Sequence, residues 1–323
     1  MGTGPFAVPT FQQLFAARHD VALLVTQPLR SHRGKEVEPA SAMRDIARQH
    51  GTPIYDPESI NTPEAQQRLS GVGADLLVVC DYGQILAPQT LATARLGGIN
   101  LHGSLLPKYR GAAPINWALL NGDTETGVTV IHMTPQVDAG PCIARAVTLI
   151  DPETTAVELE AQLAESGGRL VRRTIDALAE GRAEALPQNP ALACKAPRLK
   201  KSDGAIDWAR PALSIKNQIR ALEPWPRTYT FWHRDPQADL LHGCPAPGPP
   251  VRMILGPVDV VARPDSSHPP GAVVEACGDR LVIAAGQGAV APRTVQLAGK
   301  RPMGIGELLR GHRIQPGDQF GPE

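Results

Sequence analysis

The sequence predicts an α/β protein in two parts: a doubly wound, mostly parallel sheet, then a small antiparallel β-barrel. Three observations carry that reading. Over residues 1–182 short apolar runs alternate with amphipathic stretches, the pattern of parallel strands joined by crossover helices. Residues 183–203 hold Pro187, Pro190 and Pro197 together with Lys195, Arg198, Lys200 and Lys201, the composition of a stiff, basic linker. From residue 204 to 316 short strands dominate, the pattern of a small antiparallel barrel. A chain of 323 residues, 42% of them apolar, is long enough to bury two cores.

Taken in order, Thr10 to Ala17 reads as a helix and Val21 to Val25 as a buried strand. Leu29 to Pro39 is a polar loop that carries Arg30, His32, Arg33 and Lys35. Ser41 to Gly51 reads as a capped helix stopped by glycine. Pro53 to Tyr55 reads as a short strand, Thr62 to Leu69 as a helix, and Asp75 to Cys80 as a nearly continuous apolar strand. The next strand is Leu96 to Leu101, entered through Gly97 and Gly98. Pro114 suits the first position of a helix over Ile115 to Leu120. Gly127 to Met133 and Pro141 to Ile150 read as strands, with His132 a half-buried residue of the first. Glu158 to Glu180 is a long amphipathic helix that ends at Gly181. In the second part, strands are predicted over Val251 to Leu255, Val258 to Ala262, Arg280 to Ala284 and Thr294 to Leu297.

The chemistry concentrates between Asn100 and Gly140. Side chains alternate along a strand, so Asn100 and His102 share a face, about 6.6 Å apart along the backbone. The chain turns at Gly103, which puts that face at the carboxyl end of a strand, where open α/β sheets hold their ligands. An amide and an imidazole aimed at one point can stabilise an oxyanion, and the imidazole can also move a proton. Asp138, flanked by Gly and Pro in a loop after the next strand, is placed to keep that imidazole charged.

These residues are also recognisable. Asn100-x-His102-Gly-Ser104-Leu105-Leu106-Pro107, followed by Asp138-x-Gly140 36 residues after the histidine, resembles the signature of the 10-formyltetrahydrofolate-dependent formyltransferases. The likeness runs over nearly the whole chain. It is strongest to members whose acceptor is the methionyl amine of initiator tRNA. The resemblance implies a formyltransferase-like Rossmann-type domain and, from Ala196-Pro197-x-Leu199, Gly204-x-Ile-Asp-Trp208, Pro224-Trp225-Pro226 and Gln296 to Lys300, an OB-like domain that holds tRNA. It implies Asn100, His102 and Asp138 as the catalytic trio and 10-formyltetrahydrofolate as formyl donor, with no metal. Ser104, Leu105, Leu106 and Pro107 would form the donor-side wall, and Ile85 and Leu86 the pterin pocket. There Asp81 and the extra Ala87 depart from the usual Ala-Tyr-Gly-x-Ile-Leu-Pro. The loop with Arg30, Arg33 and Lys35 would meet the acceptor stem, as would Lys200 and Lys201 in the linker. Because members carry a short apolar strand before Gly-Thr-x-x-Phe-Ala, the resemblance also sets the expectation of a start upstream of Met1. The same signature serves enzymes that formylate nucleotide-linked amino sugars, the alternative acceptor.

Composition removes other classes. Gly2 to Ala7 matches a dinucleotide fingerprint in letters, yet no strand precedes it and Val21 to Val25 ends in Thr26-Gln27 rather than an acidic ribose partner. Without 18 consecutive apolar residues, no membrane helix is predicted, and without a basic, apolar leader the expected setting is the cytoplasm. Five cysteines at 80, 142, 194, 244 and 277 are scattered and odd in number, which fits reduced thiols rather than a disulfide or zinc framework. A neutral total conceals asymmetry. From Lys195 onward stand 17 Lys and Arg against 12 Asp and Glu, an excess of +5 balanced by −5 before it. That suits a second domain that holds RNA. A monomer is expected.

Overall fold

The computed structural model describes residues 1–28, 41–234, 249–262 and 268–323. It divides into two compact units. Unit 1 holds residues 1–115, 124–152 and 158–198, and unit 2 holds 116–123, 153–157 and 199–323. The division after Arg198 falls inside the segment read as a linker.

Unit 1 begins with helix α1 (Ala7–Phe15), earlier than the predicted Thr10, and strand β1 (Leu24–Val25). Helix α2 (Ala42–Gln49), strand β2 (Ile54–Tyr55), helix α3 (Pro63–Val72), strand β3 (Leu77–Val79) and the short α4 (Pro88–Leu91) follow. Strand β4 (Gly98–His102), β5 (Arg110–Gly111), β6 (Glu125–His132), β7 (Cys142–Leu149), α6 (Ala156–Ala179) and β8 (Lys195–Ala196) complete the series, while α5 (Pro114–Leu120), between β5 and β6 in sequence, falls mostly in unit 2. Helix α3 shows the expected punctuation, with the Thr62 hydroxyl accepting from Ala65 N and Gly73 closing it at φ 68°. Ser41 stands at the N-cap of α2 but makes no side-chain cap hydrogen bond, so that helix is not capped as predicted.

The sheet is mixed. β1 pairs with β2, and β3 with β4, in parallel, while β4–β6 and β6–β7 are antiparallel. Residues Met1 to Thr3 run between β1 and β3: Gly2 N donates to Val25 O, Cys80 N to Met1 O and Thr3 N to Asp81 O. The antiparallel β6–β7 pair follows from the short connection between them, too brief for a crossover helix. On the other face lies α6, whose Gly167 permits contact with the sheet: a Cβ there would stand 2.5 Å from Leu101 Cδ2. Val25, Ile60, Leu77, Val79, Leu86 and Leu91 form one buried cluster of this unit.

Unit 2 carries α7 (Ala212–Ala221), β9 (Thr228–His233), β10 (Val251–Leu255), β11 (Val258–Val261), β12 (Val273–Cys277), β13 (Arg280–Ala284) and β14 (Ala289–Pro292). It closes with β15 (Thr294–Leu297), β16 (Met303–Gly304), α8 (Ile305–Gly311) and β17 (Gln319–Gly321). Two antiparallel sheets, ordered β16-β15-β10-β9-β17 and β11-β14-β13-β12, are linked by a bridge between Ala272 and Gln319. Trp208, Ile215, Trp232, Met253, Ile283 and Phe320 pack between them, and both indoles are satisfied, Trp208 by Thr230 and Trp232 by Asp318. Helix α7 and strand β9 were not read from the sequence. No helix among the described residues is long and apolar enough to cross a membrane.

Candidate active site

His102 is the last residue of β4, and Asn100 lies two residues earlier on the same face. The imidazole is 5% exposed. Its Nε2 bonds the Tyr109 carbonyl at 2.9 Å, and its Nδ1 stands 3.6 Å from Asp138 Oδ2. The Tyr109 carbonyl only accepts, so Nε2 is the nitrogen that donates to it. Asp138 sits in the left-handed region at φ 52°, and its Oδ2 also accepts the Gly111 backbone N–H at 2.9 Å. The carboxylate therefore joins two strand ends, β4 through His102 and β5 through Gly111. The Asn100 amide has no hydrogen-bond partner among the described residues, which leaves its N–H groups free to donate to a ligand. An open amide, a buried imidazole and a carboxylate behind it make a constellation suited to acyl-transfer chemistry.

The loop after β4 is built by hydroxyls. Ser104 Oγ donates to the Lys108 carbonyl at 2.6 Å. Thr129, fully buried opposite His102 on β6, donates to Ser104 O at 2.7 Å and accepts from Leu106 N at 3.1 Å. The Leu106–Pro107 peptide is cis. Of the four residues read as a donor-side wall, Ser104 and Leu106 turn their side chains into the protein, while Leu105 and Pro107 are half-buried. Ser104 O and Leu106 N are both bonded to Thr129, so Leu105 and Pro107 are the residues of the four left for such a wall. The pterin-pocket pair divides likewise: Ile85 is 68% exposed, whereas Leu86 is packed in the core at 2%. Leu86 holds the loop rather than presenting its side chain.

The predicted tRNA contacts separate. Arg30, Arg33 and Lys35 lie outside the described residues. Lys200 and Lys201 are exposed in unit 2, where Lys200 N donates to Asp203 Oδ2 at 2.7 Å. Lys108, Lys195 and Arg198 are exposed in unit 1. His132 is half-buried, and burial lowers its pKa below the ordinary imidazole value. No cluster of three metal-ligating side chains occurs among the described residues.

Several residues at the site carried no legible signal. Tyr109 contributes a carbonyl, which no side-chain motif reports. Gln188 lay in the Pro-bounded stretch read as a linker, and its partners Arg110 and the Asp138 loop are far away in sequence. Pairing of β5 with β8 is what brings these segments together.

The chain was compared with known proteins. The family model described as formyl transferase matches residues 1–175, and that of the formyl transferase C-terminal domain matches residues 198–313. A methionyl-tRNA formyltransferase of Rhodopirellula baltica is 42% identical, over 99% of this chain and 95% of its own length. Another from Akkermansia muciniphila is 39% identical over 97% and 95%. Among solved structures, an N-formyltransferase from Helicobacter canadensis in complex with folinic acid and dTDP-3-aminofucose superposes with a TM-score of 0.63 at 17% identity. It covers 90% of this chain and 97% of that one. HypX from Aquifex aeolicus, in complex with tetrahydrofolic acid, superposes with a TM-score of 0.56 at 12% identity, over 89% of this chain and 46% of that one. At such identity these two structures speak for the fold alone.

Proposed function

From the membership of this chain in the formyl transferase family, we propose a specific role for each residue of the site. The enzyme transfers the formyl group of 10-formyltetrahydrofolate to the amino group of methionyl-tRNA. Its relatives of that name match it over nearly full length in both directions, whereas the amino-sugar enzyme shares only the fold. The initiator species is the tRNA that serves translation initiation, and we take it as the acceptor. The setting proposed is the cytoplasm, where charged tRNA is made, and the working form a monomer.

The site fits a formyl-bearing folate. When bound, the folate supplies an activated formyl carbon. The open Asn100 amide would donate to the formyl oxygen, where negative charge gathers as the amine attacks, joined by His102 through Nδ1–H, which at 3.6 Å from Asp138 Oδ2 is not held in a hydrogen bond. Each such donor typically contributes roughly 3 kcal/mol. Asp138 would keep His102 charged and take part in moving the proton from the amine to the departing folate nitrogen. Leu105, Pro107 and Ile85 would shape the donor wall, with Ser104 and Leu106 holding its loop from within. Arg30, Arg33, Lys35, Lys200 and Lys201 would hold tRNA phosphates.

The observation that carries the mechanism is the His102–Asp138 contact at 3.6 Å beside an amide with no protein partner among the described residues. The test is formyl transfer to methionyl initiator tRNA with a nucleotide-linked amino sugar as competing acceptor. The tRNA should take the formyl group preferentially. Formylation of the sugar in its place would overturn the acceptor assignment.

A further inference from the structure

The segment after α6 is more than a tether, because it braces the site at three heights. Leu186 exchanges backbone hydrogen bonds with Cys142 at the start of β7. Gln188 Nε2 donates to the carbonyls of Asp138 and Gly140, each at 2.8 Å, while its Oε1 accepts Arg110 Nε at 3.1 Å and Nη2 at 2.7 Å. Further on, Cys194 O accepts from Arg110 N at 2.9 Å, and Cys194 Sγ accepts from Tyr109 N at 3.2 Å. Tyr109 is the residue whose carbonyl orients His102.

Gln188 stands at the centre of this brace. Both of its amide hydrogens go to the loop that bears Asp138, a residue held at φ 52°. A non-glycine residue in that region is strained and persists only where its surroundings over-determine it. Two hydrogen bonds to carbonyls on either side of Ala139 do that, and Arg110 fixes the amide's orientation from the far side. We infer that Gln188 is a positioning residue for formyl transfer: by clamping the Asp138 loop to Arg110 it sets the Asp138 carboxylate against His102. The inference rests on the catalytic role proposed above for Asp138. It assigns a kinetic task to a residue outside the signature motif.

The experiment compares Gln188→Ala, Gln188→Glu and Asp138→Asn with the double variants, using the full chain, 10-formyltetrahydrofolate and methionyl-tRNA. Glutamate keeps the shape and the acceptor for Arg110 but removes both donors to the loop. Both single variants at 188 should lose kcat by about 10- to 100-fold, since displacement of a reacting group by about 1 Å has effects of that order. KM for donor and acceptor should hold within about 3-fold, because uniform binding is untouched. In the Asp138→Asn background the further loss should vanish, as the clamp then has no carboxylate to place. Thermal melts identify a variant that merely unfolds, and the isosteric glutamate keeps the test open if alanine does so. Unchanged kcat in Gln188→Glu, a rise confined to KM, or a loss that multiplies undiminished in the Asp138→Asn background would overturn the inference. Failure of the wild-type enzyme to formylate methionyl-tRNA would instead overturn the function on which it rests, so the two failures are distinguishable.

Discussion

Side-chain placement argues for a division of labour among the polar residues of unit 1. Asn100 has an open amide, His102 lies between two acceptors, and Asp138 links His102 to Gly111. Asn100→Ala and His102→Ala should each lower kcat by about 100- to 1,000-fold, the usual cost of removing one donor to a developing oxyanion. Melting temperature should shift little for Asn100, whose amide supports no neighbour among the described residues. Near-wild-type turnover in either variant would sink the constellation. His132 makes a different forecast. Its lowered pKa means that the folded state favours neutral imidazole, while the unfolded chain takes up a proton near the ordinary value of 6.5. The unfolded state then binds more protons just below that value, so stability rises with pH through this window and is lost as pH falls. Urea unfolding at successive pH values should show the wild type losing stability relative to His132→Gln below 6.5. A constant difference would refute the assignment.

Strands and loops show why some of this was readable in the chain and some was not. Asn100, His102 and Asp138 were legible because strand alternation and a glycine turn are local facts, and the motif spacing adds to them. The mixed sheet was less so. Periodicity distinguishes strand from helix but not the direction in which β6 meets β4. Thr228 to Phe231 alternates β-branched and aromatic residues, a local signal for β9. Burial of Ser104, Leu106 and Leu86 was illegible for another reason. A motif names the residues of a loop without saying which point inward. Pairing of β5 with β8 depends on long-range register, and no window of sequence contains it. It also yields a sharp forecast at Gly111, which adopts φ 130° and would place a Cβ 2.4 Å from the Ala196 carbonyl oxygen. Gly111→Ala must therefore part these strands or strain the backbone by roughly 1–3 kcal/mol. Because Gly111 N also holds Asp138, kcat should fall together with the melting temperature. An alanine variant with both values intact would show that the pairing is dispensable.

At the scale of the whole molecule, function turns on how charge is distributed over a chain whose total is zero. The excess of +5 from Lys195 onward is modest, and a neutral protein gains no long-range attraction for RNA from its net charge. Local contacts must do the holding. Lys200 and Lys201 are exposed, and neither forms a salt bridge among the described residues; the one carboxylate of the turn, Asp203, is bonded to the Lys200 backbone N. If both sit on phosphates, binding methionyl-tRNA releases their counterions, and the logarithm of affinity falls linearly with the logarithm of salt concentration. Each contact contributes close to one unit of slope on duplex and somewhat less on single strands. Lys200→Ala together with Lys201→Ala should flatten that slope by about 1 to 2 units. Arg33→Ala with Lys35→Ala should do the same. KM for the folate donor should be unmoved in all of them, because its wall is assigned to Leu105, Pro107 and Ile85. An amino-sugar nucleotide carries too few phosphates to produce such a slope, so the measurement also separates the two acceptor classes. Acceptor affinity that ignores salt in the intact enzyme would remove the phosphate-holding role from both pairs at once.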